Sequence, residues 1–178
     1  MKPTITPLYL SLFLHIHTLL VPGQSPPIYS PVDDITIACG NSRQQPTNFD
    51  PRIWSGDINS KLSPIEAAGR GNTTSQSRKA PPSSSSASQV PYTTARLSYF
   101  EFTYKIPLSP SQKFIRLHFN PASYPDFDRS NSLFSVKAGG SFTFLKDFNA
   151  SVTADMYGSE TFMREFCVNI DLELFRVL

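Results

Sequence analysis

Tyr99-Phe100-Glu101-Phe102-Thr103-Tyr104-Lys105-Ile106 puts Phe100, Phe102, Tyr104 and Ile106 on one side of an extended chain and Tyr99, Glu101, Thr103 and Lys105 on the other. Successive side chains of a strand point to opposite faces, so this two-residue rhythm predicts a half-buried β-strand. Pro107 and Ser109-Pro110 end it, because proline has no N–H to give to a ladder. The next run, Phe114 to Phe119, places Ile115, Leu117 and Phe119 on one face and Phe114, Arg116 and His118 on the other. Asn120-Pro121 stops it, and Tyr124-Pro125-Asp126-Phe127-Asp128 reads as an aromatic loop. Further strands are expected at Leu133 to Ala138, Phe142 to Leu145, Phe148 to Ala154 and Phe162 to Ile170, with Gly139-Gly140 turning a hairpin. Short alternating strands without a convincing amphipathic helix predict an all-β sandwich of the jelly-roll type.

Upstream the pattern is sparser. A strand is expected at Ile35 to Cys39, ended by Gly40-Asn41, and an apolar pair at Ile53-Trp54 precedes a turn at Gly56-Asp57. From Ser63 to Val90 the composition turns to Ser, Pro, Ala, Gly, Arg and Thr, including Pro81-Pro82 and the run Ser83 to Ser86. Such a stretch buries too little apolar surface to offset the entropy of ordering it, and residues 63–90 therefore read as a long mobile loop.

The first 24 residues carry one basic residue, Lys2, then an apolar run from Leu8 to Val21, then Pro22-Gly23-Gln24-Ser25. This is the layout of a cleavable secretory leader, so residues 1–24 are assigned as signal peptide and 25–178 as the domain. No second apolar run of membrane-spanning length follows, which predicts a secreted or extracellular chain. Two acceptor triplets for N-glycosylation agree with that compartment, Asn72-Thr73-Thr74 and Asn149-Ala150-Ser151, the first in the more accessible context. An oxidising compartment permits a disulfide between Cys39 and Cys167. Alternation sets Cys39 with Ile35 and Ile37 facing inward, but Cys167 with Glu165 and Asn169 facing outward, and two unpaired thiols are the preferred reading.

Charge and composition exclude several classes of function. Sixteen basic against 14 acidic residues leave a formal +2, with no polycationic footprint for nucleic acid. Of three histidines, His15 and His17 fall in the leader and only His118 remains, so a His-rich or Cys-rich metal site is not expected and no cofactor is implied. No Gly-x-Ser-x-Gly elbow, phosphate-binding Gly-rich loop or kinase signature is present, and the chain reads as non-enzymatic. Binding remains. Sugars are held by aromatic faces with polar groups at the rim, and Trp54, Tyr92, Tyr99, Tyr104 and Tyr124 beside Arg96, Arg116, Asp126 and Asp128 are the side-chain types such a site uses. A peptide partner using loops and strand edges is equally compatible.

Several short words occur in a fixed order: Tyr29-Ser30-Pro31-Val32-Asp33-Asp34, Ile37-Ala38-Cys39-Gly40, Arg52-Ile53-Trp54 and Val90-Pro91-Tyr92-Thr93-Thr94-Ala95-Arg96. Phe102-Thr103-Tyr104, Lys113-Phe114-Ile115-Arg116-Leu117-His118-Phe119, Tyr124, Phe127-Asp128, Phe134-Ser135-Val136 and Arg164-Glu165-Phe166 follow them. Over about Tyr29 to Leu174 this series resembles the first malectin-like domain of FERONIA/THESEUS-type plant receptor-like kinases. The resemblance implies a malectin-like β-sandwich serving as a cell-surface sensor at the plasma membrane and cell wall. In the family such a module lies ahead of a membrane span and a Ser/Thr kinase domain, which this chain does not contain. The implied partners are cell-wall polysaccharide of the pectin type, or a secreted signalling peptide together with a lipid-anchored co-receptor. A secreted interaction or decoy protein, or a truncated gene product, without a small ligand is the alternative. Tyr92, Arg96, Arg116, Tyr124 and Asp128 are the candidate contact residues, chosen by side-chain type and nearness to turns. In the family the module would continue past the apolar end Leu174-Phe175-Arg176-Val177-Leu178 into a closing strand, so the sandwich is expected to lack its last strand and to expose an unpaired edge.

Overall fold

The computed structural model describes residues 30–46, 52–66, 75–81, 89–139, 142–171 and 174–177. The chain divides after Val32, and the fold below belongs to the unit that begins at Asp33. The leader assigned to residues 1–24 and the acceptor Asn72 lie outside the described residues.

In chain order the strands are β1 (Ile37–Ala38), β2 (Gln45–Pro46), β3 (Ile53–Gly56), β4 (Ile65–Glu66), β5 (Gln76–Lys79) and β6 (Thr94–Leu97). Then come β7 (Phe102–Pro107), β8 (Ser111–Phe119), β9 (Leu133–Ala138), β10 (Phe142–Asn149), β11 (Phe162–Ile170) and β12 (Leu174–Val177). Helix α1 (Ala150–Tyr157) separates β10 from β11, and a short 3-10 turn occupies Arg129–Asn131. One layer is a five-stranded sheet of order β10-β9-β12-β7-β4, and the other is the long antiparallel pair β8 and β11. Smaller sheets β1-β3-β2 and β5-β6 complete the described strands.

Alternation dictates which side chains lie between the layers. Leu108, Ala138 and Ile170 form one buried cluster with Ile106, Ile115, Phe144 and Val168 packed against it. Ala150, Ala154 and Phe162 form a second, wrapped by Phe119, Phe134 and Phe148. Phe119 lies 5.1 Å from Phe162, 5.7 Å from Phe148 and 5.9 Å from Phe134, ring centre to ring centre, so the phenylalanine stripes meet as one aromatic cluster. The all-β sandwich expected from the two-residue rhythm is the fold observed.

Four departures have physical causes. First, the run expected as a strand from Phe148 to Ala154 is a strand only to Asn149, and α1 begins at Ala150. Ala150, Ser151 and Ala154 are small enough to lay a helix against the aromatic cluster, while Val152 is 53% exposed. Second, Phe100 precedes β7 and is 57% exposed, instead of sharing the buried face with Phe102, Tyr104 and Ile106. Third, residues 63–90 are not loop throughout: β4 pairs with β7, and β5 pairs with β6 over Gln76↔Leu97 to Lys79↔Thr94. β5 reads Gln-Ser-Arg-Lys, so its strand character comes from backbone pairing and leaves no apolar signature. Fourth, on the first strand Thr36 and Ala38 are buried while Ile35 is exposed and Ile37 only half-buried, although the Cys39 thiol does lie inward against Tyr104.

Strand β10 keeps both Phe144 and Leu145 shielded because its register with β9 shifts between Thr143 and Leu145 and again between Leu145 and Phe148. Such bulges turn a strand by one residue. Asp147 sits at the second with φ 46°, its N–H donating to Ser135 Oγ at 3.0 Å. The apolar end forms strand β12. β12 pairs along β7 from Leu174↔Pro107 to Val177↔Tyr104 and meets β9 at Val177↔Ala138, in the middle of the five-stranded sheet.

The segment entering the fold is clamped by charge. Asp33 Oδ2 accepts from Ser109 N at 2.9 Å and Ser109 Oγ at 2.6 Å, and pairs with Lys113 Nζ at 2.6 Å. The Lys113 and Ser109 hydrogen bonds hold its carboxyl down at about 2. A carboxyl lowered by folding stabilises the native state above its ordinary value near 3.8 and loses that contribution as pH falls through about 2. Thermal melts are therefore expected to drop between these pH values, and Asp33→Asn is expected to flatten that part of the profile. An unchanged profile in the variant would show that the clamp contributes nothing.

Candidate functional site

The residues expected to make contacts do not converge on one cleft. Arg96, on β6, points into the protein: its Nε donates to Asp57 Oδ2 at 2.7 Å, and its side chain is only 10% exposed. Asp57 is fully buried and also accepts from Tyr104 Oη at 2.6 Å and from Gly40 N at 2.7 Å. Three other chain segments are thus tied to one carboxylate, and Asp57 is an anchor where the sequence predicted a turn residue. Burial pulls the Arg96 guanidinium down, but its hydrogen bond and charge pairing with Asp57 outweigh that and hold it up. Burial, the neighbouring Cys39 and the bond to Asp57 push the Tyr104 hydroxyl up.

Arg116 lies on the outer face of β8 and pairs with Glu165 of β11 at 2.6 Å. Tyr92 is half-buried and meets His118 Nδ1 at 3.0 Å through its hydroxyl, while the His118 ring stands edge-on to Trp54 at 5.5 Å. The single histidine of the domain is thus built into an aromatic cluster with Tyr92 and Trp54. Tyr124 is buried, its hydroxyl donating to Asn120 O at 3.1 Å, and Asn120 Nδ2 donates to Tyr92 O at 3.0 Å. Tyr92 and Tyr124 are therefore joined through Asn120, whereas Arg96 and Arg116 belong to other parts of the molecule. Asp128 is exposed and caps the 3-10 turn, accepting from Ser130 N at 2.9 Å, and the bonds from Ser130 lower its carboxyl.

The solvent-facing aromatic surface comes from elsewhere. Tyr124 and Phe127 exchange backbone hydrogen bonds of 3.2 and 3.0 Å around Pro125 and Asp126, with Asp126 at φ 66°. That turn presents Phe127 to Tyr99, the rings stacking at 4.6 Å and 15°, and Tyr99 Oη donates to the Asp126 carbonyl. Tyr99 nevertheless stays 73% exposed. The sequence contained both residues, but nothing in its periodicity brings positions 99 and 127 together.

Cys39 and Cys167 are both free thiols, the latter exposed. Burial pushes the Cys39 thiol up to about 11. Among the described residues no group of three or more His, Cys, Asp or Glu side chains is placed to hold a metal ion, and no helix is long and apolar enough to cross a membrane.

Asn149, the second glycosylation acceptor, is the N-cap of α1: its Oδ1 accepts from Ser151 N at 3.0 Å, Val152 N at 3.1 Å and Ser151 Oγ at 2.7 Å. Asn149→Ala is expected to lower stability by about 1 kcal/mol, whereas Asn149→Asp keeps the cap while removing the acceptor. Melts of the two variants, with intact mass of secreted protein, separate the capping role from any glycan.

The comparisons agree with the architecture. No protein-family model matches the chain. It is 38% identical over 143 residues to the receptor-like protein kinase FERONIA of Arabidopsis thaliana, covering 80% of this chain and 15% of that protein. To ANXUR2 of the same plant it is 29% identical over 141 residues, covering 79% of this chain and 15% of that protein. Among solved structures, the FER receptor-like kinase superposes with a TM-score of 0.64 at 35% identity, over 80% of this chain and 35% of that one. The complex of the plant peptide RALF23 with FER and LLG2 gives 0.69 at 35% identity, over 84% of this chain and 35% of the matched chain. The ANXUR2 extracellular domain from Arabidopsis thaliana gives 0.69 at 26% identity, over 82% of this chain and 35% of that one. The chain thus spans a small part of the relatives' length. In both sequence and fold, this chain is homologous to FERONIA- and ANXUR-type receptor-like kinases, and what it shares with them is a malectin-like sandwich of their ectodomains.

Proposed function

We propose that the chain is a non-catalytic extracellular recognition module that binds a secreted signalling peptide together with a co-receptor at the plant cell surface. The observation that carries this reading is the likeness, over 84% of this chain, to the receptor component of a complex containing a peptide and a second protein. The arrangement of charge favours peptide over acidic cell-wall polysaccharide. A pectin site needs free cationic groups, yet Arg96 is turned inward onto Asp57 and Arg116 is paired with Glu165.

Binding of the secreted chain to a panel of cysteine-containing signalling peptides, with and without a lipid-anchored co-receptor, tests the proposal, with galacturonan oligomers as the competing ligand. Saturable peptide binding that strengthens with co-receptor supports it. Galacturonan binding that weakens with salt, in the absence of any peptide binding, would overturn it in favour of the polysaccharide reading. Binding of neither ligand would favour an interaction or decoy protein without a small ligand.

A further inference from the structure

The surface formed by the loop at residues 98–101 against the turn at residues 124–128 combines two properties that rarely coexist without a partner. It is aromatic and exposed: Tyr99 is stacked on Phe127 with its outer face in solvent, and Phe100 beside it is also exposed. A monomeric fold gains little by holding such rings in water, and contiguous exposed apolar surface marks interaction sites. It is also acidic. Glu101, Asp126 and Asp128 flank these rings in sequence, all are exposed, and none makes an ion pair among the described residues. The adjacent cation, Arg129, is turned away to Asp155 at 2.7 Å. The platform is held in shape by the Tyr99 hydroxyl on the Asp126 carbonyl and by the Tyr124–Phe127 backbone pair, so its order does not depend on a ligand.

We infer that the Tyr99–Phe127 platform, rimmed by Glu101, Asp126 and Asp128, is the docking surface for a cationic segment of a peptide, an Arg or Lys side chain lying over the open Tyr99 ring. This inference rests on the peptide-recognition reading and assigns it a place and a chemistry. The quadrupole of an aromatic ring attracts a cation to its face, and planar guanidinium also stacks there while bonding carboxylates at its edge. Charge decides between occupants. Uncompensated carboxylates repel a galacturonan chain and draw in an Arg-rich one, and the attraction is screened by salt.

The test uses the full secreted chain and, as probe, a fluorescent peptide of alternating Arg and Gly, with its citrulline counterpart and a galacturonan oligomer as comparisons. The Arg peptide is expected to bind and the citrulline peptide to bind much more weakly, with affinity falling about tenfold between about 20 and 300 mM salt. Tyr99→Ala is expected to weaken binding about fivefold. Glu101→Gln with Asp126→Asn and Asp128→Asn is expected to weaken it about tenfold or more and to flatten the salt dependence. Asn tolerates the left-handed backbone at position 126 and keeps the cap at position 128, so these changes leave the turn intact, which circular dichroism checks. Phe114→Ala, an exposed aromatic on β8, is expected to change nothing. Arg-peptide binding that is absent, or unaltered in the Tyr99 and charge-neutral variants, overturns the assignment, as does galacturonan binding lost on Tyr99→Ala. Signalling-peptide binding that persists in those variants would sink this surface while leaving peptide recognition standing. Arg-peptide binding here without binding of any secreted signalling peptide would do the reverse.

Discussion

Asp57→Ala is expected to destabilise the fold by about 3–5 kcal/mol, because it leaves a buried guanidinium without its counter-charge. The carboxylate receives Arg96 Nε, Tyr104 Oη and Gly40 N, all between 2.6 and 2.7 Å. Removing it orphans three donors in surroundings from which water is largely excluded, and each must then either stay unsatisfied or drag its strand out of place. The comparison that isolates this effect is Arg116→Ala, which breaks an equally short ion pair whose partners are 45% and 37% exposed. That loss is expected to stay below about 1 kcal/mol, since water replaces the partner. Urea denaturation of the two variants beside wild type checks both numbers. Equal destabilisation by the two substitutions would mean that burial does not set the worth of the Asp57 pair.

Gly56→Ala is expected to cost about 3 kcal/mol, at the upper end of what overpacking usually costs. A Cβ at this position would stand 2.3 Å from the Asn41 carbonyl oxygen and 2.8 Å from Arg43 N. Both are backbone atoms, so no side chain can swing aside. The close approach exists because Gly56 N donates to Arg43 O and Ile58 N to Asn41 O, lacing the 41–43 segment onto the end of β3. Gly40 is similarly constrained: φ is 78°, and an added Cβ would lie 2.5 Å from the Ala95 carbonyl oxygen. Gly40→Ala should therefore also destabilise, through contact and backbone strain together. Melting of Gly56→Ala within about 2 °C of wild type would refute the account of this packing.

How much could be read in advance differs from one segment to the next. β7, β8, β9 and β11 were legible because each buries one face, and a half-buried strand must alternate. The outward placement of Cys167 followed from the same rhythm. β5 was not legible, since a polar strand owes its conformation to the backbone of β6. Helix α1 was misread because Phe148, Ala150, Val152 and Ala154 alternate as well as any strand, and only the Asn149 cap and the left-handed Gly158 at φ 57° mark a helix. The chosen contact residues had suitable chemistry, but chemistry does not say which way a side chain points. Arg96 turned inward and Arg116 found Glu165, while Tyr99 and Phe127 were left to face solvent together.

By itself, then, the order of amino acids determined the class of fold and the rows of side chains that would be withdrawn from water. Burial of apolar surface acts on every residue according to its own type, and the pleat sorts neighbours by parity. Only the tertiary structure decided that Asp57 would gather Arg96, Tyr104 and Gly40, and that the rings of Tyr99 and Phe127 would stack at the surface. Those meetings join residues 17 to 47 positions apart around the carboxylate, and at the surface Tyr99 also bonds Asp126, 27 positions on. Their distances arise from how the sheets stack and the loops return, quantities that no local rhythm encodes.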